Sequence, residues 1–256
     1  MIINKVYHLA DLHIRNLQRH KEYRQVFRKF LKQVKEDKIE DSVIYIAGDI
    51  AHAKTEMSPE LVKEISWFLT ECAKLREVIL ITGNHDCNLN NQHRLDVLTP
   101  IIDNLQNPRI HYLRDTGVYN IHNLTFVVYS IMDNKENWPK GELVEGENTI
   151  CLFHGPVNKA QTDIGYTVSS NSFQVDMFDG FDMAMLGDIH KRQTFGEGYE
   201  HIAYAGSMVQ QNHGELLENH GYLLWDIPTR TFTEHHIHND YGFLTVDVVD
   251  GKIPQW

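Results

Sequence analysis

Short runs of aspartate, histidine and asparagine recur along the chain, each behind an apolar stretch. They are Asp11-Leu-His13, Gly48-Asp49-Ile-Ala-His52, Gly83-Asn84-His85-Asp86, His154-Gly155 and Gly187-Asp188-Ile-His190. The donors are carboxylate and amide oxygens and imidazole nitrogens, with no thiolate among them. That mixture suits manganese, iron or zinc better than calcium. Asp11, His13, Asp49, Asn84, His154, Asp188 and His190 are too many ligands for one ion, and their number implies two ions with a bridging carboxylate. Two divalent ions about 3.5–4 Å apart clamp the attacking and leaving oxygens of an in-line phosphoryl displacement. They also lower the pKa of bound water toward neutrality. Singly, each run is ordinary: Gly-Asp after a strand is a common turn, and a lone histidine is more often packed than ligating. The metal reading rests on all of them occurring in order behind apolar segments.

Such runs need strands that end beside them. Residues 5–10 are apolar and β-prone, 43–47 end at Gly48, and 78–82 end at Gly83. Between them Tyr23, Val26, Phe27, Phe30, Leu31 and Val34 recur at helical spacing, predicting a helix over 20–38. Ser58-Pro59 opens a second helix over 58–76, and Asn91 offers a cap for a third over 92–105. This β-α-β-α-β-α order predicts a sheet with helices on its face. Beyond Pro108, short strands are expected at 109–113, 117–121, 124–132, 149–153, 182–186, 200–204, 221–226, 231–237 and 241–248, with long loops at 133–148 and 155–175. In open α/β sheets the ligand crevice lies beyond the carboxyl ends of the strands. In extended chain residues two apart share a side, so Asp11 with His13 and Asp188 with His190 could each grip one object. Glycines 48, 83, 155 and 187 permit sharp turns and close approach there.

The 256 residues carry 24 basic and 35 acidic side chains, a net charge of −11. An acidic chain binds polyanions poorly unless cations or a partner supply positive charge. The 16 histidines are an excess that metal ligation would explain. Three scattered cysteines predict no disulfide framework and a reducing cytoplasm. No stretch has the apolar length of a membrane span, and the N-terminus lacks a signal-peptide pattern.

Asp-x-His, Gly-Asp, Gly-Asn-His-Asp, His-Gly and Gly-x-x-His in this order resemble the calcineurin-like metallophosphoesterase superfamily over roughly residues 5–190. Gly48-Asp-Ile-Ala-His52, with Ala205-Gly206-Ser207, Gly214-Glu215 and Gly221-Tyr222, resembles the SbcD-type double-strand-break repair nuclease subunits. The run from Asn84 through Asn91 to Arg94 is similar to that of the T-even phage recombination endonucleases. The resemblance implies an α/β, four-layer sandwich of two mixed β-sheets flanked by helices. It implies a manganese-dependent DNA nuclease, with magnesium possible, acting on duplex ends and single strands beside an SbcC-type coiled-coil ATPase. Asp11, His13, Asp49 and His190 would hold one ion, and Asp49, Asn84, His154 and Asp188 the other. His85 would protonate the leaving oxygen or stabilise the transition-state phosphate, His52 would place the phosphate, and Asp86 would orient the loop. Lys191, Arg192 and Arg15 would contact substrate.

The chain departs from that pattern in two places. Asp188 stands where the family usually has histidine, and Ile14-Arg15 where it tends to have Leu-Gly. The resemblance further implies a nuclease domain over 1–240, the start of a DNA-capping domain over 241–256, a homodimer through the helices at 58–76 and 92–105, and host cytoplasm if the chain is phage-encoded. A different phosphoesterase on the same scaffold, a nucleotide phosphodiesterase or a phosphatase, is the main alternative. The Gly-Asp-x-x-Asp-Arg-Gly of protein phosphatases is absent. A non-catalytic scaffold is disfavoured because every ligand position holds a coordinating side chain.

Overall fold

The computed structural model describes residues 1–91, 93–169, 173–248 and 250–252. Strands β1 (Lys5–Leu9), β2 (Ser42–Ile46), β3 (Glu77–Leu80) and β4 (Ile110–Tyr112) run parallel in one sheet. Antiparallel β11 (Gly221–Asp226) and β12 (Thr231–His236) complete it in the order β12-β11-β1-β2-β3-β4. The second sheet has the order β5-β6-β7-β8-β10-β9. Its strands are β5 (Gly117–Ile121), β6 (Leu124–Tyr129), β7 (Thr149–His154), β8 (Met183–Gly187), β9 (Gln193–Thr194) and β10 (Ile202–Tyr204). β6, β7, β8 and β10 are parallel, with β5 and β9 antiparallel at the edges.

Alternation along the strands explains the layers. Val6, Val43, Tyr45 and Ile79 point inward to meet Phe126, Leu152, Met185 and Trp225 between the sheets. Tyr7, Leu9, Ile44 and Ile46 point outward under the helices. A strand buried on both faces reads as the continuous apolar run seen in β2. Helix α1 (His20–Glu36) buries Tyr23, Val26, Phe27, Phe30 and Val34, spaced at three and four. In α2 (Pro59–Leu75) the Ser58 hydroxyl accepts the Leu61 N–H at 3.2 Å, and Pro59 occupies the first turn. Leu61 and Phe68 lie wholly within the core, Ile102 is partly covered, and Leu95 is 70% exposed. Among the described residues the outer face of the second sheet carries 3₁₀ turns at 135–137, 141–143 and 175–178 together with loops. Among the described residues no helix is long and apolar enough to cross a membrane.

Two elements differ from the sequence reading. Helix α3 spans only Leu98–Leu105, and Asn91 does not cap it. Residues 88–91 turn locally instead, with Asn88 Oδ1 accepting the Asn90 N–H at 3.1 Å. Asp96 Oδ1 takes the Leu98 and Thr99 N–H groups at 2.9 and 2.8 Å, so the helix starts there. Residues 241–248 form no strand. The Gln210 side chain takes the place of a neighbouring strand, accepting the Phe243 N–H at 2.6 Å and donating to its carbonyl at 3.3 Å. Residues 253–256 of the expected capping segment lie outside the described residues.

Candidate metal centre

The carboxyl ends of β1, β2 and β3 in one sheet and of β7 and β8 in the other meet at one edge of the sandwich. Asp11 and His13 follow β1, Asp49 and His52 follow β2, and Asn84, His85 and Asp86 follow β3. His154 ends β7, and Asp188 and His190 follow β8. The sheets are joined there directly, because His154 Nδ1 lies 2.6 Å from the Ala47 carbonyl beyond β2. That bond makes Nδ1 a donor and turns Nε2 toward the other donors.

The pairing of Asp11 with His13 does not come from extended chain. Asp11, His13 and Asp49 have φ of 53°, 44° and 50°, and Asp188 has 99°. Aspartate and histidine are enriched among the few non-glycine residues that enter this half of backbone space. The loops turn back so that the side chains converge. Two glycines allow it. Gly48 has φ +79°, and a Cβ there would stand 2.7 Å from both the Gly83 nitrogen and His154 Nδ1. A Cβ on Gly83 would overlap the Asp49 carboxylate.

The donors form two groups that share Asp49. In the first, His13 Nε2 and His190 Nε2 are 3.0 Å apart, and each lies 4.0 Å from Asp11 Oδ1. His13 Nε2 is 3.4 Å from Asp49 Oδ2. In the second, His154 Nε2 lies 3.0 Å from Asn84 Oδ1, 3.4 Å from Asp49 Oδ1 and 3.8 Å from Asp188 Oδ1. The structure thus brings all seven predicted donors together and offers the two oxygens of Asp49 to different groups.

The chemistry of this donor set fits divalent cations. Buried charges are paired or coordinate metals, yet no lysine or arginine is paired with the carboxylates of Asp11, Asp49 or Asp188 among the described residues. Burial pushes the Asp11 carboxyl up to about 7, and His190 only partly offsets it. Burial also raises Asp188. At Asp49 burial is outweighed by His154 and His13, which hold the carboxyl well below its ordinary range. Burial disfavours charge on His154, yet Asp49, Asp11 and Asp188 raise its imidazole well above the usual value. The centre is an electronegative hollow that positive charge would stabilise.

Several supports are not visible in the spacing of the ligands. Glu215 Oε1 lies 2.7 Å from His190 Nδ1, which fixes the tautomer with Nε2 toward the donors. Against the cost of burial, that hydrogen bond and Asp11 raise His190 to about 9. Gly214-Glu215 was the only sequence signal for it. The buried Tyr23 hydroxyl donates to the His13 carbonyl at 2.7 Å. Asp86 belongs to neither group of metal donors. Its carboxylate takes the N–H groups of Ala51 at 2.8 Å, Gly83 at 2.9 Å and Ile50 at 3.3 Å, lashing the second and third loops together.

His52 and His85 stack beside the first group, ring centroids 5.4 Å apart at 22°, and His85 lies 4.7 Å from the His13 ring. His85 Nδ1 donates to the His52 carbonyl at 2.7 Å. Burial, then Arg15, lowers His52 to about 4. Arg15 lines the same crevice, anchored to the Gln211 carbonyl at 3.0 Å, and Lys191 lines the flank beside Asp188 and His190. Arg192 is turned away. Its guanidinium is held by Glu234 of β12 at 3.2 Å and by the Ala205 carbonyl at 3.3 Å, away from the donor groups.

Residues 4–192 match the family described as calcineurin-like phosphoesterase. An uncharacterized protein of Acanthamoeba polyphaga mimivirus is 42% identical over 98% of this chain, and the chain spans 19% of that relative's length. The crystal structure of TT1561 of Thermus thermophilus superimposes with a TM-score of 0.53 over 92% of this chain and 100% of that one, at 9% identity. That likeness is one of fold.

Proposed function

The chain belongs to the calcineurin-like phosphoesterase family, and from that premise we propose that it is a manganese-dependent nuclease that hydrolyses DNA phosphodiesters. The observation that carries the reading is the stacked pair His52 and His85 beside two donor groups joined by Asp49. Asp11, His13, Asp49 and His190 would hold one ion, and Asp49, Asn84, His154 and Asp188 the other. Ions held there supply Lewis-acid stabilisation of phosphoryl oxygens and lower the pKa of bound water.

The chain's own residues supply the rest. His85 has its Nδ1–H committed to the His52 carbonyl, so Nε2 is the atom that exchanges a proton, and it protonates the leaving 3′ oxygen. His52 and Arg15 orient the phosphate, and Lys191 adds charge at the other flank. Cations at the centre would locally reverse the sign set by a net charge of −11. An SbcC-type coiled-coil ATPase partner and a two-fold dimer through α2 and α3 belong to the same proposal. Leu61 and Phe68 are buried in the core, so such a dimer would use outward residues such as Leu95, which precedes α3.

The test is a parallel assay with manganese, magnesium or EDTA on linear duplex DNA, single-stranded DNA, p-nitrophenyl mono- and diesters, and a phosphopeptide. DNA and diester cleavage with manganese, abolished by EDTA, is expected. Turnover of the phosphopeptide or monoester alone would overturn the nuclease reading and leave a phosphatase.

A further inference from the structure

Beside the second donor group the surface opens into a cavity of about 500 Å³. Asn84, His154 and Asp188 form one end of it. The walls are of another character: Ile131, Trp138, Phe153 and Phe173. Trp138 and Phe173 are stacked 5.8 Å apart at 21°, and Trp138 is backed by Tyr129 at 4.7 Å and 12°. The indole Nε1–H donates to the Ser130 carbonyl at 3.3 Å, which fixes the ring's orientation. Asn134, Lys135 and Glu136 stand exposed at the rim, with Asp133 half-buried beside them.

A phosphate bound by cations and imidazoles has no use for apolar walls, so these serve the group esterified to it. That group must have apolar faces for the rings and polar edges for the rim. It must also be reached from a phosphate lying over Asn84, His154 and Asp188. A nucleobase meets these conditions, since every base has a face that stacks on aromatic side chains and an edge that hydrogen-bonds. Resting on the nuclease reading above, we propose that this cavity receives the unstacked base of the nucleotide adjoining the cleaved phosphate. The enzyme then selects phosphates whose neighbouring base can leave the helical stack. Single strands and fraying duplex ends release such a base at the least cost.

The test uses a labelled single-stranded oligonucleotide with one tetrahydrofuran abasic residue, incubated with manganese and compared with the intact strand. Loss of one stacked base corresponds to roughly a five- to hundredfold change. Cleavage at the phosphate adjoining the abasic position is expected to fall by that factor in the wild-type protein. Trp138→Ala should slow the intact strand and flatten the difference, and Trp138→Phe should restore it. Equal cleavage of both strands by the wild type overturns the base pocket while the nuclease reading stands. So does a Trp138→Ala variant that slows both strands by one factor. If no DNA is cut but a phosphotyrosyl peptide is hydrolysed, and Trp138→Ala slows that reaction, both readings fail and the pocket serves a peptide side chain.

Discussion

The two sheets are covered in opposite ways. Over the first lie three helices that bury a continuous apolar stripe, with Phe27 and Phe68 stacked 4.1 Å apart. Over the second lie loops and single 3₁₀ turns whose aromatic residues, Trp138 and Phe173 among them, leave an open cavity beside the centre. Regular helices pack to interior density and leave little concave surface. Loops on a rigid scaffold leave hollows, and binding residues gather on them. The helix-covered sheet contributes Asp11, His13, Asp49 and Asn84, and Asp86 fixes the loops that carry the last two. The loop-covered sheet contributes His154, Asp188 and His190 and the cavity. Both halves supply donors to the centre, and the loop-covered half adds the open cavity beside it.

Breaking the shared residue tests this division most severely. Asp49→Ala removes a ligand from both groups, so both ions should be lost and cleavage should fall by more than about 10⁴, several kcal/mol being at stake at each ion. Metal analysis that still finds two ions per chain would show that the carboxylate is not shared. Asp188→Ala, on the loop-covered half, should lose one ion and most cleavage while the other ion stays. Normal activity with two tightly bound ions would remove Asp188 from the ligands. His85→Asn should keep both ions and DNA binding but slow cleavage about 10²–10⁴-fold, and wild-type turnover would sink its role as acid. Glu215→Gln should weaken manganese affinity about 10–100-fold through the orientation of His190, measured by titration against a chelator.

The smallest effect lies away from the centre. Burial alone would raise the Asp96 carboxyl, but Thr99 and Arg114 hold it below its ordinary value. A depressed carboxyl contributes stability above its unfolded pKa, and that contribution fades as pH falls through the folded value. Asp96→Asn keeps a capping oxygen but loses the charge that Arg114 bonds at 2.8 Å, so it should cost about 1 kcal/mol at neutral pH and less in acid, read from denaturant midpoints. Equal losses at both pH values would argue against it.

Much of the centre is legible in the sequence because its ligands follow apolar runs that end in glycine or aspartate. The helical stripes at three and four and the apolar strands between them predict a sheet with helices on its face, whereas the sandwich of two mixed sheets entered only with the family resemblance. Other features rest on contacts between distant segments. Glu215 meets His190 across 25 positions, and Ala47 meets His154 across 107. The αL turns of Asp11 and His13 override the two-residue periodicity that first suggested their pairing. Residues 241–248 have the alternation of a strand, but a side chain of Gln210 satisfies the backbone where a neighbouring strand would. Arg192 sits two residues past a ligand and still points to β12, because Glu234 binds it there.

The strand order carries a consequence for synthesis of the chain. β1 lies between β2 and β11, so one of its edges stays unpaired until residues 221–226 have left the ribosome. Until then Val6, Ala10 and the inner face around Tyr45 lack the cover of Leu223 and Trp225. An open apolar strand edge is a template for association between nascent chains. The family match ends at residue 192, but a fragment cut there would have neither the hairpin that closes this edge nor the Glu215 that orients His190. Such a fragment should aggregate when expressed, whereas one ending after β12 should remain dispersed.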